Sequence, residues 1–244
     1  SDKYKYPDEI ESLTEKYCWT RRMAAVFDHM RSKYDIRRQT LIDCIREIQV
    51  AESMRELLRL LSANQFELII VSDSNTVLIE TILEANHLLD LFDKKNIFTN
   101  RAYFDSNECL RVHPLNEDFN ADGEPFDCFT GICAKNICKG KILSDLLLKR
   151  MSNRESDESS STESSVDTTR VDLSRPNQIM YFGDGTNDYC PSLVLNKSDT
   201  VFIRNDHSFA RLLIKNTSFK DNILANITYW TSAADILGYF TKNS

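Results

Sequence analysis

The sequence predicts an α/β fold built on a parallel sheet, with a small helical unit at its start. Three observations predict it. Short, continuous, β-branched apolar runs alternate with stretches of helical spacing, the pattern of a sheet covered by helices. A glycine-rich acidic loop follows one of those runs directly, where parallel α/β sheets place their ligands. Before about residue 49 the apolar residues keep helical spacing and no strand-like run occurs.

The elements follow in order. Pro7-Asp8-Glu9 resembles a helix start, with acidic residues near the positive end of the helix dipole. Leu13, Tyr17, Met23, Val26, Phe27, Met30 and Tyr34 recur at roughly helical spacing, and Leu41, Ile42, Ile45 and Ile48 mark a second helix. Met54, Leu57, Leu58, Leu60 and Leu61 mark a third. Residues 66–71 (FELIIV) read as a buried parallel strand, and a helix follows through Val77, Leu78, Ile82 and Leu83. Ile97-Phe98-Thr99 is a short strand, and residues 101–130 read as loop or hairpin, with Gly123 and Pro125 as turn signals. Lys139 to Met151 is helical; Ile179 to Phe182 and Thr200 to Ile203 are strands. Ile227 to Trp230 and the residues through Leu237 form a last strand and helix.

One segment breaks the alternation. Ser152 to Thr169 is dominated by Ser, Thr, Asp and Glu, with Val166 as its only aliphatic residue. Such a run buries too little apolar surface to offset ordering entropy, so a disordered insertion is expected at about 152–176. The expected domains are a helical cap at 1–49 and an α/β core at 50–244.

Composition narrows the function. The net charge of −7 and the absence of a basic run disfavour a nucleic-acid partner. No apolar run reaches the ~18 residues of a membrane span, so no membrane partner is expected. The seven cysteines are odd in number and scattered, which argues against a disulfide framework and for a reducing, cytoplasmic setting.

Three segments carry chemistry. Gly183-Asp184-Gly185-Thr186-Asn187-Asp188 directly follows a strand, and two aspartates on a tight loop suit a hard cation with oxygen ligands, Mg²⁺ above all. The bland alternative is an acidic surface turn; the strand context and the spacing favour the metal. The third glycine of a dinucleotide fingerprint is missing. Ser72 follows the 66–71 strand and could donate to a phosphate oxygen, although taken alone Ser72 or Asp73 reads as a helix N-cap. Lys139 stands at a helix start, where the dipole disfavours a cation, which points to a task such as pairing with an anion; otherwise it is a surface lysine. Cys133 and Cys138 form a C-x4-C pair with Cys128 nearby and no C-x2-C partner. That spacing is read as structural thiols beside the loop rather than zinc ligands.

In this order the three segments resemble motifs two, three and four of the haloacid-dehalogenase superfamily. The resemblance implies a HAD-like Rossmannoid parallel sheet. It implies that Ser72 binds the transferred phosphoryl group, that Lys139 neutralises it, and that Asp184 with Asp188 holds Mg²⁺. Ser72 to Thr76, Cys133 to Lys139, Asn187 to Pro191 and Trp230 to Ile236 resemble the phosphoethanolamine/phosphocholine phosphatase family and its pyridoxal 5′-phosphate branch. In that family an aspartate at the position of Asp73 faces the substrate's headgroup, and a carboxylate there suits a cationic amine.

The family's first motif, D-x-D-x-T on a central strand, has no counterpart among the 244 residues. Asp73-Ser74-Asn75-Thr76 comes closest but holds the place of motif two, and Asp28 lies in a helical stretch. Motif one, its strand and the nucleophilic aspartate are therefore expected upstream of Ser1. The expected activity of the complete protein is Mg²⁺-dependent hydrolysis of a small phosphate monoester through an aspartyl-phosphate. Two alternatives stay open: a catalytically inactive product that binds metal, phosphate or a partner, and a phosphoserine phosphatase-like enzyme. Which monoester is the substrate and what the oligomeric state is lie beyond the sequence.

Overall fold

A computed structural model describes residues 10, 19–115, 128, 130–133, 136–158 and 178–242. The chain divides into two compact units: Ser1–Asp127 with Ala134–Ile137 and Ser232–Ser244, and Cys128–Cys133 with Cys138–Thr231.

From Trp19 the first unit runs through helices α1 (Trp19–Tyr34), α2 (Arg38–Arg46) and α3 (Glu52–Ala63). Strand β1 (Ile70–Asn75), helix α4 (Thr76–Ala85) and the hairpin β2 (Ile97–Phe104) and β3 (Leu110–His113) follow. The sheet order is β1-β2-β3. β1 and β2 are parallel, with Ile70 opposite Ile97 and Ser72 opposite Thr99; the register then slips, so that Asn75 faces Asn100. β2 and β3 are antiparallel, with Phe104 opposite Leu110. The helical start, drawn at residue 49 from the sequence, packs within this same unit. Phe27 of α1 buries with Cys109 and Leu110, against Leu41 of α2, Val77 and Leu78 of α4, and Ala102 and Phe104 of β2. A second cluster, Leu83, Leu88 and Phe92, takes in Leu58 of α3 and Ile70 and Ile97 of the sheet.

Polar groups fix the turns. Buried Asn86 donates Nδ2 to the carbonyls of Ile82 and Ile48 and accepts from the Val50 amide, tying the α2–α3 connection to the end of α4. Asp28, weighed as a nucleophile position, sits on α1 and pairs with Arg111 of β3 at 2.6 Å. That pair holds helix against hairpin.

The second unit contains helix α5 (Lys139–Glu158), β4 (Met180–Gly183), a 3-10 turn at Thr186–Asp188 and the short helix α6 (Tyr189–Ser192). β5 (Thr200–Arg204), α7 (Ser208–Lys215), α8 (Thr217–Asp221) and β6 (Asn226–Trp230) complete it. Its three strands are all parallel in the order β4-β5-β6, so the mixed α/β class with parallel sheets is as expected. Helix α9 (Ala233–Lys242) returns the chain to the first unit. Val201 and Ile203 of β5 are fully buried among Leu143 of α5 and Phe209, Ala210 and Leu213 of α7. Buried Asp199 organises the strand entrances: its carboxylate accepts from the amides of Ile179 and Asn196, and its carbonyl accepts from Asn226.

Two expectations need adjusting. α5 runs to Glu158, so residues 152–158 of the acidic segment continue the helix; the rest of that segment lies outside the described residues. The helix start at Pro7-Asp8-Glu9 and the turn signals Gly123 and Pro125 also lie outside them.

Candidate active site

In the first unit, Ser72 and Asp73 lie within β1 and not beyond it, because the strand pairs from Ile70 onward and runs to Asn75. The helix cap is Asn75, whose side chain accepts from the Leu78 amide at 3.1 Å. Neither Ser72 nor Asp73 is therefore spent as the N-cap of α4. Ser72 Oγ accepts from the Ser74 amide at 3.2 Å. Buried Asn100 on β2 clamps the bulge, donating to the carbonyls of Asp73 at 2.7 Å and Ser74 at 2.8 Å. Thr76 Oγ1 accepts from the Ala102 amide at 3.0 Å. Asn100 carries no signal in the sequence, because the strand read there ends at Thr99, one residue before it.

In the second unit, the loop after β4 folds around one carboxylate. Asp188 is buried. Its Oδ1 accepts from Lys139 Nζ at 2.8 Å and from the Tyr181 hydroxyl at 2.7 Å. Its Oδ2 accepts from the amides of Asp184 at 2.9 Å and Gly185 at 2.8 Å. An ionised carboxylate offers about four lone-pair sites, and four donors occupy them. The loop closes this tightly because residue 183 is glycine: a Cβ there would stand 2.6 Å from the Cβ of Asp188. Lys139 enters from the first turn of α5 and is only 12% exposed, so the surface-lysine alternative does not describe it.

Asp184 is the contrasting member. Its carbonyl accepts from the Phe209 amide at 3.0 Å and the Ser208 hydroxyl, which fixes the backbone at the start of α7. Its carboxylate is about half exposed and lies 3.2 Å from His207 Nδ1. An oxygen donor at the carboxyl end of a parallel strand fits a hard cation that keeps most of its waters, as Mg²⁺ does.

The cysteines near Lys139 are closer together than their spacing suggested. Cys128, Cys133, Cys138 and Cys190 converge, with all four sulfurs within 4.8 Å of one another. The Cys138 thiol is held far below the usual thiol range, because the thiols of Cys133 and then Cys190 donate to its sulfur, as does the Lys141 amide.

The chain matches the protein family described as Putative Phosphatase over residues 2–161 and 162–243. It thus belongs to this family of haloacid-dehalogenase-like phosphatases, and its class is phosphoric monoester hydrolase. Among its relatives, "Pyridoxal phosphate phosphatase PHOSPHO2" of Rattus norvegicus is 30% identical over 240 residues, 96% of this chain and 85% of the relative. "Probable phosphatase phospho1" of Danio rerio is 31% identical over 182 residues, 74% of this chain and 54% of the relative. "Inorganic pyrophosphatase 1" of Arabidopsis thaliana is 33% identical over 165 residues, 68% of this chain and 46% of the relative. Among the described residues no helix is long and apolar enough to cross a membrane.

Proposed function

We propose that the complete protein hydrolyses small phosphate monoesters in a Mg²⁺-dependent, two-step reaction in the cytoplasm. Pyridoxal 5′-phosphate heads the substrate panel because the rat relative bears that name; phosphoethanolamine and phosphocholine follow from the motif resemblance. The observation that carries the proposal is the Lys139–Asp188 pair at 2.8 Å on the loop that also presents the exposed Asp184 carboxylate, at the end of a parallel strand.

Phosphoryl transfer depends mainly on positioning and charge neutralisation. A nucleophilic aspartate, supplied by a D-x-D-x-T strand outside the 244 residues, attacks phosphorus. The P–O ester bond breaks as the second aspartate of that motif gives its proton to the leaving alcohol; the same carboxylate then takes a proton from the water that attacks the aspartyl-phosphate, which releases inorganic phosphate and restores the nucleophile. Ser72 donates to a phosphoryl oxygen, and Asp73 faces the cationic headgroup of the substrate. Lys139 balances the negative charge of the transferring group, and Asp188 fixes the direction of its ammonium. Both Asp184 and Asp188 belong to the metal site, in different ways. Asp184, its carboxylate exposed beside His207, offers an oxygen ligand, whereas Asp188, its acceptor sites filled, shapes the loop and holds Lys139. Mg²⁺, when bound, supplies further neutralisation of the phosphoryl oxygens.

The test is phosphate release from a generic aryl phosphate by the 244-residue chain, by a version extended upstream, and by Asp184→Asn in the extended form. The extended form should be active, and Asp184→Asn should lower kcat about 10²-fold or more and abolish the response to Mg²⁺. Survival of both activity and Mg²⁺ dependence in Asp184→Asn would overturn the metal assignment. Phosphoserine cleaved well ahead of the three favoured substrates would move the protein to the phosphoserine phosphatases.

A further inference from the structure

Four of the seven cysteines meet at one point in the second unit, although 62 residues separate the first from the last. Cys128 and Cys133 flank a turn in which the Gly131 amide donates to the Cys128 carbonyl at 2.9 Å; Gly131 takes φ +65°, a conformation that suits glycine. Cys138 directly precedes α5, and Cys190 lies in α6. The sulfur separations are 3.5 Å for Cys138–Cys190, 3.6 Å for Cys133–Cys138 and 3.7 Å for Cys128–Cys190. A disulfide needs about 2.05 Å, and all four cysteines are free thiols.

Those distances have a simple geometric meaning. Tetrahedral zinc with Zn–S bonds of about 2.3 Å puts its sulfurs about 3.8 Å apart along each edge. The three separations come within a few tenths of an ångström of that edge. From these positions we propose that Cys128, Cys133, Cys138 and Cys190 bind one zinc ion as a closed, structural four-thiolate site.

The surroundings support a built site. Cys138 and Cys190 are fully buried. The Lys141 amide points at Cys138 Sγ from 3.4 Å, and the Thr130 hydroxyl lies 3.1 Å from Cys128 Sγ, the kind of outer contact that orients metal ligands. Helix α5 approaches this closely only because residue 140 is glycine: a Cβ there would lie 2.5 Å from Cys190 Sγ and 3.0 Å from the Cys190 carbonyl. The site also explains a sequence adjacency. Cys138 precedes Lys139, and Cys190 follows Asp188 by two residues. One ion would fasten together the two backbone segments that present the Lys139–Asp188 pair, which makes it a positioning site and leaves the reacting phosphate untouched.

The experiment uses the 244-residue chain and reads metal, so it stands apart from phosphatase activity. The chain is produced with zinc, desalted, and its metal measured by plasma mass spectrometry. The apo chain is refilled with Co²⁺ and its absorption spectrum recorded. About one zinc per chain is expected, with the intense thiolate-to-cobalt charge-transfer band and the tetrahedral d–d bands of a four-sulfur site. Cys138→Ser and Cys190→Ser should lose the zinc, Gly140→Ala should weaken affinity about 10-fold or more, and Asp184→Asn should keep it. The cobalt spectrum of the unsubstituted chain decides the matter even where a cysteine variant fails to fold. No thiolate-to-cobalt band, zinc that persists in Cys138→Ser, or thiols that react equally fast with and without added zinc would each overturn the site.

Discussion

Asp188 is a junction for four donors, and its neighbours in sequence exist to serve it. Gly183 admits its side chain, Gly185 and Asp184 lend their amides, and Lys139 answers its charge from a distant helix. Gly183→Ala should force the loop apart and cost about 1–3 kcal/mol, read as a lowered urea midpoint. Phosphatase activity should fall with it, since the added Cβ meets the side chain of Asp188, which holds Lys139. The glycines and aspartates of this loop were legible from their spacing after an apolar strand. The division of labour between Asp184 and Asp188 was not, because it depends on which carboxylate the amides and Lys139 reach. The out-of-place charge of Lys139 at a helix start was legible, and its partner Asp188 accounts for it. The convergence of the four thiols was not legible, because spacing rules look for paired cysteines near one another and Cys190 comes from another part of the chain.

The β2–β3 hairpin shows how an element is fixed by one turn residue. Asp105 accepts from the amides of Asn107 and Cys109 and from Arg111 Nε, while Glu108 takes φ +60°. The Cys109 amide, and after it the Arg111 side chain, hold the Asp105 carboxyl below the usual carboxylate range. A group whose folded pKa is lowered contributes stability above its unfolded pKa, near 3.9, and loses it as pH falls through the folded value. Asp105→Asn should thus destabilise the chain at neutral pH. The gap between variant and parent in urea midpoint should narrow as pH drops below about 4. A gap that stays constant through acid would mean that Asp105 acts only through shape. The strand runs were legible because apolar, β-branched segments have few other homes. Their limits were not: β1 begins at Ile70, where Ile97 first offers a partner, and it ends at Asn75, which caps the helix in place of the alternatives Ser72 and Asp73. β2 runs five residues past Thr99, to Phe104, because β3 folds back on it.

At the scale of the molecule, the chain order hides the packing order. The helices drawn as a separate cap share a core with β1–β3, and the last helix returns to that unit after the whole of the second has been built. Periodicity reports which face of an element is buried, not against what, so which elements share this core was not legible from it. The match to one phosphatase family over nearly all the chain supplies what periodicity lacks.

The convergence of four thiols beside the Lys139–Asp188 pair also has a chemical consequence. Enzymes that use carboxylates are ordinarily indifferent to peroxide and to heavy metals, whereas thiol enzymes are poisoned by both. Here the machinery would be carboxylate and the fastening sulfur, so the extended protein should be inactivated by hydrogen peroxide or cadmium at a rate set by loss of zinc. Activity should return when thiol reductant and zinc are supplied together. A time course of zinc release against remaining activity measures this: coincident curves mean that a small oxidant can switch off a phosphatase without meeting any residue that touches phosphate.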